Sequence, residues 1–166
     1  MEPQYLTPTD NSAVAQLIRY CLEDESLALS GTAYFDPQLD GLASYYADLE
    51  RADYFVLKDA GQVVACGGFG PISETVCELQ KLYVDKNYRR KGYARQLLAH
   101  IEDKALQAGY EQMYLESSTK LAAALKLYEK MGYRHLAQPL IQETGHYLMD
   151  VWMVKHLRKK AETMKN

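Results

Sequence analysis

The sequence predicts an α/β protein: a central mixed sheet of six to seven strands with about four helices on its faces. Two patterns lead there. A strand, helix, strand succession in the middle of the chain requires a parallel crossover, and a hairpin upstream of it is antiparallel. The third observation is size: 166 residues, 48% hydrophobic and 25% charged, fit one ordinary domain over residues 1–166. No repeat, low-complexity tract or linker divides the chain.

Tyr5 to Thr7 reads as the first strand, and Thr9 or Asp10 as the cap of a helix running to about Cys21 with Val14, Leu17 and Ile18 inward. A loop-rich stretch leads to a second helix over Gly41 to Arg51. Tyr54-Phe55-Val56-Leu57 and Val63-Val64-Ala65-Cys66 flank Asp59-Ala60-Gly61, a tight-turn signal, and so form the hairpin. Val76 to Val84 is the next strand, antiparallel to it. A long helix beginning near Gly92 collects Ala94, Leu97, Leu98, Ile101, Ala105 and Ala108 on one face and stops at Gly109. Met113 to Ser117 returns as a strand. A shorter helix, Leu121 to Met131, buries Ala124, Leu125 and Tyr128 and ends at Gly132; Tyr133 to Leu136 and Tyr147 to Leu157 complete the sheet.

Two details carry chemistry. In the strand Val76 to Val84, Cys77 and Leu79 share one parity while Leu82 and Val84 share the other. A β-bulge near Gln80 to Leu82 turns both pairs inward and leaves backbone groups free for a ligand; a strand buried on both faces accounts for the pattern equally. The second detail is Tyr88-Arg89-Arg90-Lys91-Gly92-Tyr93-Ala94-Arg95, with four cations at the start of the long helix. Gly92 and Ala94 let successive amides approach an anion where the helix dipole favours one, and a pyrophosphate fits such a nest. A solvated basic turn is the alternative.

Taken together, Glu78-Leu79-Gln80-Lys81-Leu82-Tyr83-Val84, Arg89-x-x-Gly92-x-Ala94 and Leu127-Tyr128-x-x-x-Gly132-Tyr133 resemble the GNAT superfamily of acyl-CoA-dependent N-acetyltransferases. The resemblance is strongest from Val76 to Leu136. It implies the GNAT-like N-acyltransferase fold and acetyl-CoA as co-substrate, with no metal. The pantetheine arm would lie along Leu82, Tyr83 and Val84, and the loop of Arg89, Arg90, Lys91, Gly92, Tyr93, Ala94 and Arg95 would hold the pyrophosphate. The chain departs from many members at Leu121, seven residues before Tyr128, where an Asn contacts the cofactor.

An acceptor amine with a pKa near ~10 must lose a proton before it attacks a thioester. Glu78 corresponds in register to the glutamate that serves as base in histone-type members; a carboxylate fixing the strand or the acceptor's ammonium is the alternative. A free N–H at the bulge, that of Leu82 or a neighbour, is the natural donor to the oxyanion. Tyr128 stands where the family places the acid that protonates the departing thiolate, with core packing as the bland reading.

A formal charge of −3 argues against nucleic-acid partners, and the lack of a long apolar run or signal peptide argues against a membrane and for a cytoplasmic setting. Cys21, Cys66 and Cys77 read as buried thiols, the four histidines lack metal-ligand spacing, and Arg158-Lys159-Lys160 reads as a solvated tail. Between Cys21 and Glu50 lie Glu23, Asp24, Glu25, Asp36, Asp40, Asp48 and Glu50 and no Lys or Arg, a rim suited to a cationic amine. Tyr34, Phe35, Tyr45 and Tyr46 are the candidate wall of that acceptor site. The expected function is acetyl transfer to a primary amine of a small molecule or peptide by direct attack in a ternary complex. A non-catalytic acetyl-CoA-binding regulatory module is the alternative, separable by turnover. The oligomeric state, a homodimer included, is left open.

Overall fold

The strands are β1 (Gln4–Tyr5), β2 (Asp53–Asp59), β3 (Gln62–Pro71), β4 (Val76–Val84), β5 (Gln112–Ser117), β6 (Arg134–His135) and β7 (Val151–His156). The helices are α1 (Asn11–Asp24), α2 (Leu42–Ala47), α3 (Tyr93–Gln107) and α4 (Ala122–Lys130). In the computed structural model, which describes residues 1–141 and 146–158, the strands form one sheet in the order β1-β2-β3-β4-β5-β7-β6. Every neighbouring pair is antiparallel except β4 and β5, which the crossover through α3 makes parallel.

The sheet is apolar on both faces because its central strands alternate between two cores. Along β2, Phe55 and Leu57 join Leu97, Leu98 and Ile101 of α3, whereas Tyr54 and Val56 join Val14, Ile18 and Leu22 of α1. The β2–β3 turn places Ala60 at φ 48° and Gly61 at φ 82°, the two positive values of a type I′ hairpin turn. No helix among the described residues is long and apolar enough to cross a membrane.

The second helix is shorter than its sequence pattern, Leu42–Ala47 instead of Gly41 to Arg51. Arg51 sits at φ 53°, its guanidinium 4.0 Å from the Tyr110 ring centre and donating to the Ala108 and Glu74 carbonyls. Those distant contacts take the chain out of the helix. Asp10 does not cap α1 with its side chain; it accepts from Thr7 N–H and pairs with Lys58 at 2.8 Å. In α4 only Tyr128 is buried, Ala124 and Leu125 being half-exposed. The last strand starts at Val151, because the residues from His146 to Asp150 are taken up by loop contacts described below. Lys159 and Lys160 of the expected basic tail lie outside the described residues.

Candidate active site

The parallel strands β4 and β5 are paired at only three positions, Val76 with Gln112, Cys77 with Met113 and Glu78 with Tyr114. Beyond Glu78 the side of β4 that faces β5 has no strand partner, and a wedge opens at the carboxyl ends of both strands. Ligands of open α/β sheets bind in such crevices.

The bulge lies on that open stretch. Cys66 pairs with Tyr83 and Gly68 with Gln80, so Lys81 and Leu82 together oppose Gly67. Lys81 takes φ 50°, and Tyr54 Oη donates to its carbonyl at 2.7 Å. The parity argument holds: Cys77 and Leu79 before the bulge and Leu82 and Val84 after it all pack on the α3 side. Gly67 is required for the close approach, since a Cβ there would come within 2.9 Å of Leu82 Cδ1 and 3.3 Å of Leu82 Cα.

After β4 a short 3-10 turn, Lys86–Tyr88, leads to Arg89, Arg90 at φ 63°, Lys91 and Gly92 at φ 82°. The first α3 hydrogen bond runs from Gln96 N–H to the Gly92 carbonyl, so the amides of Tyr93, Ala94 and Arg95 have no intrahelical acceptor. A Cβ built on Gly92 would meet nothing within 4 Å. Arg90, Lys91 and Arg95 are exposed and form no ion pair among the described residues. Arg89 differs from them. Its Nε donates to the Val84 carbonyl at 3.1 Å and its guanidinium lies 3.7 Å from both Asp24 and Glu25, bracing the loop to the end of α1.

On the opposite side of the wedge, Tyr46 Oη donates to Gln80 Oε1 at 2.5 Å and Gln80 Nε2 donates to Glu78 Oε1 at 2.9 Å. Burial pushes the Glu78 carboxyl above the usual carboxylate range and the charge of Glu116 adds to it, against the opposing Gln80 hydrogen bond. Glu116 shares a face of β5 with Tyr114, the register partner of Glu78. Tyr114 Oη donates to Glu116 Oε2 at 3.0 Å, while Glu116 Oε1 is buried without a hydrogen-bond partner among the described residues. Tyr128 is 7% exposed with its ring against Tyr133, and its hydroxyl finds no partner among the described residues. Burial raises that phenol, which stays protonated at neutral pH.

Of the four residues expected to wall the acceptor site, Tyr45 and Tyr46 come to Glu78: their rings meet edge to face, and the Glu78 charge is felt by both phenols. Tyr34 instead donates to Glu23 on α1 at 2.5 Å, and Phe35, packed on Tyr34, is 62% exposed. The acidic rim is largely matched. Asp40 is bridged twice by Arg19 at 2.8 Å, Asp24 and Glu25 face Arg89, and Asp36 is paired with Lys81 at 2.7 Å. Sequence reasoning missed Gln80, Glu116 and the Asp36–Lys81 pair. For Glu116 a signal existed: a carboxylate at the carboxyl end of a parallel strand, where a crevice was to be expected.

Comparison with known proteins identifies the family and the fold. The family model described as the acetyltransferase (GNAT) family matches residues 16–133. The N-acetyltransferase YjgM of Escherichia coli K12, described as uncharacterized, is 36% identical over 156 residues, which cover 92% of this chain and 92% of that protein. An acetyltransferase of the GNAT family from Staphylococcus aureus Mu50 superposes with a TM-score of 0.82 at 15% identity, over 95% of this chain and 99% of that one. The yncA structure from Salmonella typhimurium, described as a putative acetyltransferase with its cofactor acetyl-CoA, gives 0.74 at 20% identity, over 98% and 96%.

Proposed function

The chain belongs to the acetyltransferase (GNAT) family and is an enzyme of that class; from this premise we propose that it moves the acetyl group of acetyl-CoA to a primary, cationic amine by direct attack. The observation that carries the reading is the open edge of β4. It runs from a carboxylate of raised basicity at Glu78 to an unsatisfied, cation-flanked helix N-terminus at Gly92. A ligand with an amide-bearing arm and a pyrophosphate matches that edge in both chemistry and order, and the Salmonella neighbour is described with that ligand.

In this reading Leu82, Tyr83 and Val84 offer backbone groups to the pantetheine arm. The amides from Arg89 to Arg95 hold the pyrophosphate, with Arg90, Lys91 and Arg95 supplying charge and Arg89 supplying a brace. Glu78, directly or through a water, takes one proton from the acceptor's ammonium. The freed nitrogen bonds to the thioester carbon while the Leu82 N–H, or its neighbour, donates to the oxygen; one such donor is worth about 3 kcal/mol. As the C–S bond breaks, the Tyr128 hydroxyl gives its proton to sulfur, and the proton shed by the new amide restores the phenol. A cationic acceptor is favoured because neither Glu78 nor Glu116 forms an ion pair among the described residues, and one Glu116 oxygen has no donor among them. A cytoplasmic setting belongs to the same reading, supported by three free, buried cysteines. Nothing in the comparisons favours the non-catalytic module.

Calorimetry with acetyl-CoA and thiol release against a panel of primary amines test this together. Binding plus turnover is expected; a folded protein that does not bind acetyl-CoA would refute it.

A further inference from the structure

Resting on the reading that the acetyl group lies at the bulge, we propose that Asp36 is a positioning residue, which holds the oxyanion donor in place by gripping Lys81. The Lys81 side chain is 7% exposed and that of Asp36 14%, with their charged atoms 2.7 Å apart. Lys81 itself sits at φ 50°, a backbone conformation that disfavours every residue with a side chain. Glycine would relieve it at no cost to the bulge, so the lysine is there for what its side chain reaches. It does not reach the cofactor loop. It reaches Asp36, whose two oxygens also lie 2.9 and 3.0 Å from His146 Nε2.

Three segments therefore meet at one carboxylate: the α1–α2 connection, the bulge and the β6–β7 connection. The last two residues of that contact reinforce it, because Leu148 N–H donates to the Gly31 carbonyl at 3.1 Å and the Tyr147 ring lies against Gly31. Burial alone would raise the Asp36 carboxyl, but His146 and Lys81 outweigh burial and keep it ionised. On the far side of the same peptide, Tyr54 Oη fixes the Lys81 carbonyl. The next N–H in the chain, that of Leu82, is thus clamped from two directions, and one of them runs through the walls of the acceptor side.

The test reads the thioester carbonyl stretch of bound, carbonyl-labelled acetyl-CoA, which shifts down when a donor is aligned to the oxygen. The wild type should show the downshift relative to free acetyl-CoA. Lys81→Gly, whose backbone suits the bulge, and Asp36→Ala should lose most of it, while Lys81→Arg keeps it. Acetyl-CoA affinity should stay within about twofold, and kcat with any amine that the wild type accepts should fall at least about tenfold in the first two variants. Thermal melts establish folding, and Lys81→Gly decides alone if Asp36→Ala does not fold. A downshift retained in the folded variants overturns the inference and leaves the proposed function standing. An unshifted wild-type band in a protein that binds and turns over acetyl-CoA overturns the inference alone, and no binding of acetyl-CoA overturns both.

Discussion

A carboxyl that must take a proton from an ammonium gains from being more basic than a free glutamate, and burial makes Glu78 so. Glu78→Gln should bind acetyl-CoA normally while thiol release at neutral pH falls by roughly 10². Raising the pH toward the ~10 of an alkylamine should recover part of the rate. Loss of acceptor affinity with unchanged turnover at saturation would instead make Glu78 a binding carboxylate. Stability should move the other way. With its folded value above the ordinary 4.5, Glu78 costs the folded state increasingly as pH rises from there through the raised value. Melts of Glu78→Gln should therefore exceed the wild type at pH ~7 and converge with it below pH ~4. Tyr128→Phe deletes a hydroxyl that has no hydrogen-bond partner among the described residues, so stability should hold within about 1 kcal/mol while turnover drops by roughly 10² if proton donation limits the rate. A wild-type rate in that variant would leave Tyr128 as packing. Glu78 and Tyr128 were legible as candidates from their places in short motifs. Glu116 could be suspected only from its place at the carboxyl end of a parallel strand, because the significance of its orphaned oxygen depends on what surrounds it in space. Asp36, Lys81 and His146 are too far apart in sequence for any local pattern to join them.

Among the elements, the turn into α3 carries the most local information. Gly92→Glu sets a side chain at φ 82° and a negative charge before amides that await an anion, so acetyl-CoA affinity should fall at least tenfold, equivalent to ~1.4 kcal/mol. Calorimetry on the folded variant decides it, and unchanged affinity would remove the loop from the cofactor site. Gly92→Ala should cost less, since its Cβ has open space and only the backbone is strained. The bulge was legible because a period of two leaves no other way to send Cys77, Leu79, Leu82 and Val84 to one core, short of burying both faces. The extent of α2 was not legible. The apolar spacing through Tyr45, Tyr46 and Leu49 invites a longer helix, and what stops it is Arg51 reaching Tyr110 and Glu74 across the fold.

For the molecule as a whole, a count of acidic residues overstates the free charge on the acceptor side. The run of carboxylates between Glu23 and Glu50 is mostly spent on Arg19, Lys81 and Arg89, leaving only Asp48 and Glu50 of the seven without a polar partner among the described residues. Cation preference should then come from the half-buried pair Glu78 and Glu116, which salt screens less than it screens an exposed rim. The KM of a cationic amine should change less than about threefold between ~0.05 and ~0.5 M salt, whereas steering by a rim would weaken steeply over that range. The alternation of elements was readable because every strand and helix in the middle of the chain has its own period. The splaying of β4 from β5 was not, since it is a matter of how far two distant strands stay parallel. That splaying has a bearing on self-association. The outermost strands, β1 and β6, pair over two residues each and offer little template to another chain. The long free edge lies instead in the middle of the sheet, along β4 beyond Glu78, flanked by α1, α3 and the residues from His146 to Leu148. On the proposed reading, a slender ligand adds itself there as a strand, where the broad face of a second protein has far less room to approach.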